Sequence, residues 1–186
     1  DRAMEYLQGE MGEQKIARLL KIMDKRKFSP LTSSCGRLFD AVSALLGICR
    51  ETSYDGQPAC ELEAICREDE DGAYPFSYRN REIELAPAIR AIYSDMQSGV
   101  PDSIIAARFH NTIVRVIVKT SKRLEEETGL QTVALSGGVM QNTTLLTKAV
   151  QDLADEGFQP LTHQKVPAND GGICLGQAAS ALARSE

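Results

Sequence analysis

Two short loops carry the residues that are best placed for chemistry. An apolar strand at 133–135 runs into Ser136, Gly137 and Gly138, and an amphipathic helix follows. Glycines at a strand-to-helix turn let an anion approach backbone N–H groups, and the helix dipole favours negative charge. Asn142, in the first turn of the helix, has an amide that is able to donate to an oxygen of that anion. The same pattern is typical of a tight turn in which glycine relieves strain, so both interpretations stay open.

The second loop places a carboxylate before a pair of glycines. Asp170 precedes Gly171, Gly172 and another helix. Such a carboxylate is either a ligand for a hard divalent metal or an N-cap that accepts helix N–H groups. His163 ends the preceding strand and is a candidate neighbour of this loop. His110 lies in a long apolar helix, where a partly buried, hydrogen-bonded imidazole is expected instead.

The elements that must position these loops form a repeated strand, loop and helix pattern. Hydrophobic periodicity predicts strands near 132–136 and 158–163 and helices near 141–156 and 171–183. In open α/β sheets, ligands bind at the carboxyl ends of strands. We therefore expect both loops to face one hollow, within an α/β portion that spans 129–186.

Residues 1–128 are predicted to be a helical portion, continuous with the α/β portion in one partial domain. The apolar spacing and the turn residues predict helices at 1–24, 36–46, 58–66, 87–97 and 101–127, with a hairpin near 73–85. Asp1 already lies in a helical pattern, so we expect the chain to begin inside a larger protein.

Composition excludes several classes of protein. The 186 residues carry a net charge of -5, which argues against a general binder of nucleic acid or of membrane surfaces. No apolar run is long enough to span a membrane. The five cysteines contain no C-x-x-C pair, which predicts mostly buried, reduced thiols in a cytoplasmic protein. The signatures of P-loop, Rossmann, serine hydrolase and zincin sites are also absent from the sequence.

Four blocks in one order make the chain, from Phe28 onward, resemble a known family. They are SPLTSSCGRLFDAV at 29–42, YDGQPACELE at 54–63, ARFHNT at 107–112, and the paired loops LSGGVMQN at 135–142 and VPANDGGI at 166–173. In this combination the chain is similar to the C-terminal part of the HypF family of hydrogenase-maturation carbamoyltransferases. That region is shared with antibiotic O-carbamoyltransferases and with the TsaD family of tRNA threonylcarbamoyl-transferases.

The resemblance implies a fold and an activity. The fold is mixed, helix-rich α/β, with one lobe and a helical subdomain of the two-lobed actin-like ATPase fold. The activity uses carbamoyl phosphate and ATP to form carbamoyl-adenylate, from which the carbamoyl group passes to the C-terminal cysteine of the partner HypE. That thiocarbamate becomes a cyanide ligand of the nickel-iron site. The alternatives are O-carbamoylation of a small molecule and a non-enzymatic, nucleotide-responsive docking module that recruits a partner through the 73–85 hairpin.

The resemblance also implies which residues contact the nucleotide. The ribose contact falls on Asp40, and the phosphate contacts fall on Gly137, Gly138 and Asn142. A further contact falls on the turn formed by Gly56 and Gln57. The tRNA-modifying relatives have glycine where this chain has Gln57, so the turn favours the HypF branch.

A metal is implied as well. Its aspartate ligand falls on Asp170, and the ion is Fe, Zn or Mg. The family completes the site with an upstream H-x-x-x-H pair, which this sequence does not contain. Adenylate chemistry needs donors that hold a polyanion and a cation that offsets its charge, so no catalytic side chain is implied. We therefore expect this chain by itself to bind nucleotide poorly and to turn over little.

Overall fold

The computed structural model describes residues 8–9 and 11–184, which fall into two units. The first unit comprises residues 1–34, and its helix α1 spans Glu13–Met23. This helix begins after Gly12, whose φ is 79°, and ends ahead of an exposed basic cluster at 25–27. The earlier part of the predicted 1–24 helix lies largely outside the described residues.

The second unit, residues 35–186, is organised around one long helix. Helix α5 spans Asp102–Thr128 and ends at Gly129, which has the left-handed conformation that terminates helices. Its apolar face supplies several fully buried side chains, including Ile105, Phe109 and Val114. The prediction of a helix over 101–127 is confirmed.

Three shorter helices pack with α5 to form the core. Helix α2 spans Cys35–Leu45, α3 spans Gln57–Ala64, and α4 spans Ala86–Gln97. Proline lies in the first turn of α3 and of α4, where its missing N–H costs nothing. The buried side chains that these helices contribute are Phe39, Val42, Leu62, Ala88 and Ile92.

A hairpin is present where the sequence predicts one. Strand β1 spans Ser77–Arg79 and pairs antiparallel with β2, Glu82–Glu84. Asn80 and Arg81 both have positive φ, 51° and 64°, as a two-residue primed turn requires. Arg123 of α5 lies 4.4 Å from the ring centroid of Tyr78, so a cation–π contact joins the hairpin to the long helix.

Two parallel strands and two helices complete the unit. Strand β3, Thr132–Ala134, pairs with β4, Gln159–Leu161, and Val133 lies opposite Pro160. Helix α6 spans Thr143–Asp155, and α7 spans Ile173–Ala183. Each strand is shorter than predicted, because Pro160 cannot donate to the ladder and no third strand joins the pair within the described residues. The predicted division of the chain near residue 128 stays a prediction.

The last two helices begin later than predicted. A 3₁₀ turn at Gly138–Gln141 precedes α6, and another at Asp170–Gly172 precedes α7. Helix α7 is apolar, yet Ile173, Leu175 and Leu182 are 53%, 56% and 71% exposed. None of the helices within the described residues has both the length and the apolarity that crossing a bilayer requires.

Candidate functional site

The two glycine loops lie side by side. The N–H of Leu135 donates to the carbonyl of Leu161 at 2.9 Å, which extends the β3–β4 pairing by one step. The N–H of Gly137 then donates to the carbonyl of Ala168 at 3.0 Å. A side-chain hydrogen bond of 2.8 Å joins the Ser136 hydroxyl to Nε2 of His163. The loops predicted to share an edge of the sheet are therefore adjacent.

The first loop depends on glycine at one position. Gly137 has a φ of 102°, a region that residues with a Cβ rarely adopt. Gly138 begins the 3₁₀ turn, and both glycines are exposed. The Gly137 N–H donates to the Ala168 carbonyl and is therefore already used within the protein. The expectation that both glycine N–H groups are free to bind an anion is therefore wrong for Gly137.

The second loop is capped by Asn169. Its Oδ1 accepts the N–H of Gly171 at 3.1 Å, so the interpretation of Asp170 as the cap is wrong. A short asparagine side chain in extended backbone reaches that amide, whereas Asp170 is already inside the turn. Gly172 has no room for a side chain, because a Cβ there would lie 2.9 Å from the carbonyl oxygen of Pro167.

Asp170 itself is exposed on the 3₁₀ turn. Within the part of the chain that the structure describes, no three His, Cys, Asp or Glu side chains are grouped so that they could hold a metal. Asp170 thus offers one carboxylate, and a complete metal site would need ligands from outside these residues. Its assignment as a metal ligand stays a prediction.

Asn142 is buried and used within the fold. Its Oδ1 accepts the N–H of Leu145 at 2.8 Å, which caps α6, and its Nδ2 lies 2.9 Å from Nε2 of His110. Because the peptide N–H fixes the orientation of the amide, Nδ2 donates and the imidazole Nε2 accepts. The side chain therefore holds α6 against α5, and its role as a phosphate contact stays a prediction.

His110 is hydrogen-bonded, as expected, but it is fully rather than partly buried. It is 0% exposed, and its Nδ1 donates to the carbonyl of Ala106 at 2.8 Å. The Phe39 ring packs edge-on against it at a centroid distance of 5.0 Å. Burial lowers the pKa of His110 below its ordinary value, since the charged form would lose its hydration.

A thiol next to this imidazole is not activated. Cys66 Sγ lies 3.1 Å from Nδ1 of His110. Burial, with a further contribution from Glu63, raises the pKa of Cys66 to about 12. A reactive thiolate needs an environment that lowers the thiol pKa. This cysteine–histidine pair is therefore neutral and structural, and sequence reasoning gave no signal for it because the residues are 44 positions apart.

The Gly56 turn is held by the side chain that follows it. Gly56 is left-handed, with a φ of 83°, and begins α3. Gln57 Oε1 accepts the Ser53 N–H at 2.8 Å, and its Nε2 donates to Glu61 at 2.7 Å. The Gln57 side chain thus organises its own loop.

The predicted nucleotide residues lie on elements that contact one another. Helix α2, which carries the half-buried Asp40, contacts the 3₁₀ turn at Gly138–Gln141. Glu63 of α3 accepts the N–H of Thr144 at 2.9 Å, which caps α6 from a distant part of the sequence. The nucleotide contacts assigned to Asp40, Gly56 and Gln57 stay predictions.

A cavity of about 180 Å³ lies between the two loops. Its lining is largely apolar, and His163 and Thr162 are among its polar residues. The residues that line it are Leu135, Met140, Gln141, Leu146, Thr162, His163, Val166, Pro167 and Ala168. The cavity therefore borders the glycine turns, and Gly137, Gly138 and Asp170 are not part of its wall.

Fold and site together define a class of protein. The architecture is the mixed, helix-rich α/β structure of the actin-like ATPase type. A family model described as "Carbamoyltransferase, Kae1-like Domain, second subdomain" matches residues 2–177. The chain belongs to this family.

The relatives of this chain are longer than the chain itself. It is 39% identical over 163 residues to carbamoyltransferase HypF of Synechocystis, which covers 85% of this chain and 20% of the relative. It is 33% identical over 174 residues to the probable carbamoyltransferase HypF of Methanocaldococcus jannaschii, covering 92% and 23%. A crystal structure of full-length HypF in the phosphate- and nucleotide-bound form superposes with a TM-score of 0.86 at 38% identity, covering 95% of this chain and 24% of that one. The chain thus spans about a fifth to a quarter of these proteins.

Proposed function

We propose that this chain is the part of a HypF-type carbamoyltransferase that holds ATP and the carbamoyl-adenylate made from it. The observation that carries the proposal is the pairing of the two glycine loops through Gly137 and Ala168 and through Ser136 and His163. Family membership supports it, and so does the related HypF whose structure was determined with phosphate and nucleotide bound. Fixed backbone and side-chain donors at one edge suit a polyanion.

In this proposal the residues of the chain bind and orient the nucleotide. Asp40 accepts hydrogen bonds from the ribose, the turn at Gly56 and Gln57 contacts the nucleotide, and Gly137 and Gly138 bring backbone close to its phosphates. Asn142 caps the first turn of α6, which follows the first glycine loop at the same edge. Such positioning accelerates transfer because the reactants no longer have to find their geometry in solution.

The acceptor in the proposal is a thiolate of another protein, the C-terminal cysteine of HypE. The thiolate attacks the carbamoyl carbon of carbamoyl-adenylate, the bond to the phosphate oxygen breaks, and AMP leaves. Carbamoyl phosphate supplies the carbamoyl group upstream. The neutral state of Cys66 fits this scheme, since a pKa raised to about 12 leaves it unsuited to compete as a nucleophile.

A divalent ion would offset phosphate charge in such a site. Asp170 is proposed as one oxygen ligand, with histidines outside this sequence as others, and the ion is Fe, Zn or Mg. A cytoplasmic location is also proposed, because all five cysteines are free thiols, which suits a reducing compartment. The expectation that most of them are buried is wrong, since only Cys49 is.

Substitution of Asp170 tests the proposed function. In the full natural protein that carries this sequence, Asp170→Ala should lower carbamoyl transfer from labelled carbamoyl phosphate by at least about 100-fold. The matched control is Asp152→Ala, which removes an exposed aspartate from α6. Binding of the acceptor protein, measured in parallel, should change little. Transfer that survives in Asp170→Ala would contradict the proposal and favour a docking module.

A further inference from the structure

His163 and Ser136 form a side-chain contact that the proposed function does not yet use. Both residues are exposed and follow the two parallel strands, and their hydrogen bond of 2.8 Å spans 27 positions of sequence. It stands between two backbone contacts, one from Leu135 and one from Gly137, that already hold the loops together. The pair is therefore at the turn where the phosphates are proposed to bind.

The chemistry of a hydroxyl makes its partner important. A serine hydroxyl has one proton to donate and two lone pairs, and its rotor is otherwise free. If Nε2 of His163 carries a proton, it donates to Ser136 Oγ, and the Ser136 proton is then free to point elsewhere. If Nε2 is bare, it takes the only proton that Ser136 has. Whether Nε2 of His163 carries a proton therefore decides whether the Ser136 hydroxyl is able to donate to an anion.

We propose that His163 is a positioning residue whose Nε2–H holds the Ser136 hydroxyl as a hydrogen-bond donor to a nucleotide phosphate oxygen. This inference rests on the proposed function, because it names a further donor at the same loop. The Ser136 hydroxyl would also supply a donor that Gly137 does not, since the N–H of Gly137 already donates to Ala168. The imidazole acts through the serine, and the cavity beside it gives the ring access to solvent.

Nucleotide affinity measures the contribution of the pair. In the full natural protein, Ser136→Ala and His163→Ala should each weaken ATP binding by about 3- to 10-fold, the range for one net hydrogen bond. The double variant should lose no more ATP affinity than the weaker-binding single variant, because both substitutions break the same chain of hydrogen bonds. His163→Gln should recover most of the affinity, since its amide places an N–H donor near the same position. The change should appear in KM for ATP, with kcat nearly constant.

A neighbouring residue provides the matched control. Gln164 donates to Thr162 Oγ1 at 2.8 Å, an exposed contact within a single loop. Gln164→Ala likewise removes an exposed hydrogen bond next to His163, but it should leave ATP affinity unchanged. Thermal unfolding of every variant shows whether the fold is intact.

Nitrogen NMR tests the proton position without any substitution. The chain has two histidines, so its imidazole spectrum is simple. With ATP and Mg²⁺ raised until this chain is saturated, His163 should show a protonated Nε2. His110 is the internal reference, because its Nε2 accepts from Asn142 and its Nδ1 carries the proton.

The outcomes separate this inference from the proposed function. Absence of ATP binding by the unaltered full protein would overturn the proposed function and the inference with it. ATP binding that is equally tight in Ser136→Ala and His163→Ala would overturn the inference alone. A bare Nε2 on His163 in the nucleotide-bound state would do the same. Weaker binding that the glutamine variant restores, together with a protonated Nε2, would support it.

Discussion

Gly172 lies so close to neighbouring backbone that a side chain does not fit there. A Cβ at this position would lie 2.9 Å from the Pro167 carbonyl oxygen, and backbone does not yield as a flexible side chain does. Gly172→Ala should therefore lower the free energy of unfolding by about 1–3 kcal/mol. Gly176→Ala is the control, since a Cβ there meets nothing within 4 Å. Urea unfolding of both variants is the measurement, and equal effects would contradict the assignment.

His110 makes stability depend on pH. Its pKa lies below the ordinary value of 6.5 in the folded state, so as the pH falls the unfolded chain binds this proton first. The contribution of neutral His110 to the free energy of unfolding is fully present above about pH 6.5. Below that pH the free energy of unfolding falls by up to about 1.4 kcal/mol per pH unit, until the pH reaches the pKa of His110 in the folded state. The pKa values of Asp69 and Glu70 are lowered from 3.8 and 4.5, so these carboxyls change stability only at a pH below the range in which His110 does.

The measurement is urea unfolding between about pH 7.5 and pH 5.5, compared with His110→Asn. The substitution should lower stability throughout and flatten the slope between these limits. An unchanged slope in the variant would show that another group titrates there.

Single residues show where sequence reasoning was sufficient and where it was not. The buried imidazole of His110 was predictable, because apolar residues surround it in the periodic pattern of its helix. The choice between Asp170 and Asn169 as the cap was not, since both types cap and only the backbone angles decide. The contact of Ser136 with His163 depends on the parallel pairing of β3 and β4, which sequence predicts only in outline.

Helix α6 depends on Asn142 for the cap of its first turn. Asn142→Ala removes the cap on Leu145 and leaves Nε2 of His110 buried without its donor. The free energy of unfolding should fall by about 2–4 kcal/mol. Asn169→Ala, which removes the cap of a largely exposed 3₁₀ turn, should cost less than about 1 kcal/mol. Urea unfolding separates them, and a small loss in Asn142→Ala would contradict a structural role.

The elements were more predictable than their boundaries. Helix α5 was predicted within a residue at each end, because its apolar periodicity is long and Gly129 provides a clear stop. The strands were predicted too long, since apolar content continues beyond the three paired residues of each. The start of α6 was predicted too early, because a glycine pair and an asparagine cap allow a 3₁₀ turn that periodicity does not reveal.

In the whole molecule, two stretches that are distant in the sequence lie side by side, and we propose that they form one nucleotide site. The resemblance in sequence already implied the family, and the family model confirms it. The sequence did not predict that apolar residues of α7 are exposed, because periodicity alone does not show which face of an apolar helix is covered. The proximity of the loops follows from their shared parallel pairing.

Amide NMR of this chain during titration with a nonhydrolysable ATP analogue and Mg²⁺ tests that claim most directly, because it detects even weak binding. If the two loops form one site, the resonances of 136–142 and 168–172 should shift together, with the same midpoint in analogue concentration, and Gly56 should shift with them. Shifts confined to one of the two loops, or to the β1–β2 hairpin, would contradict it.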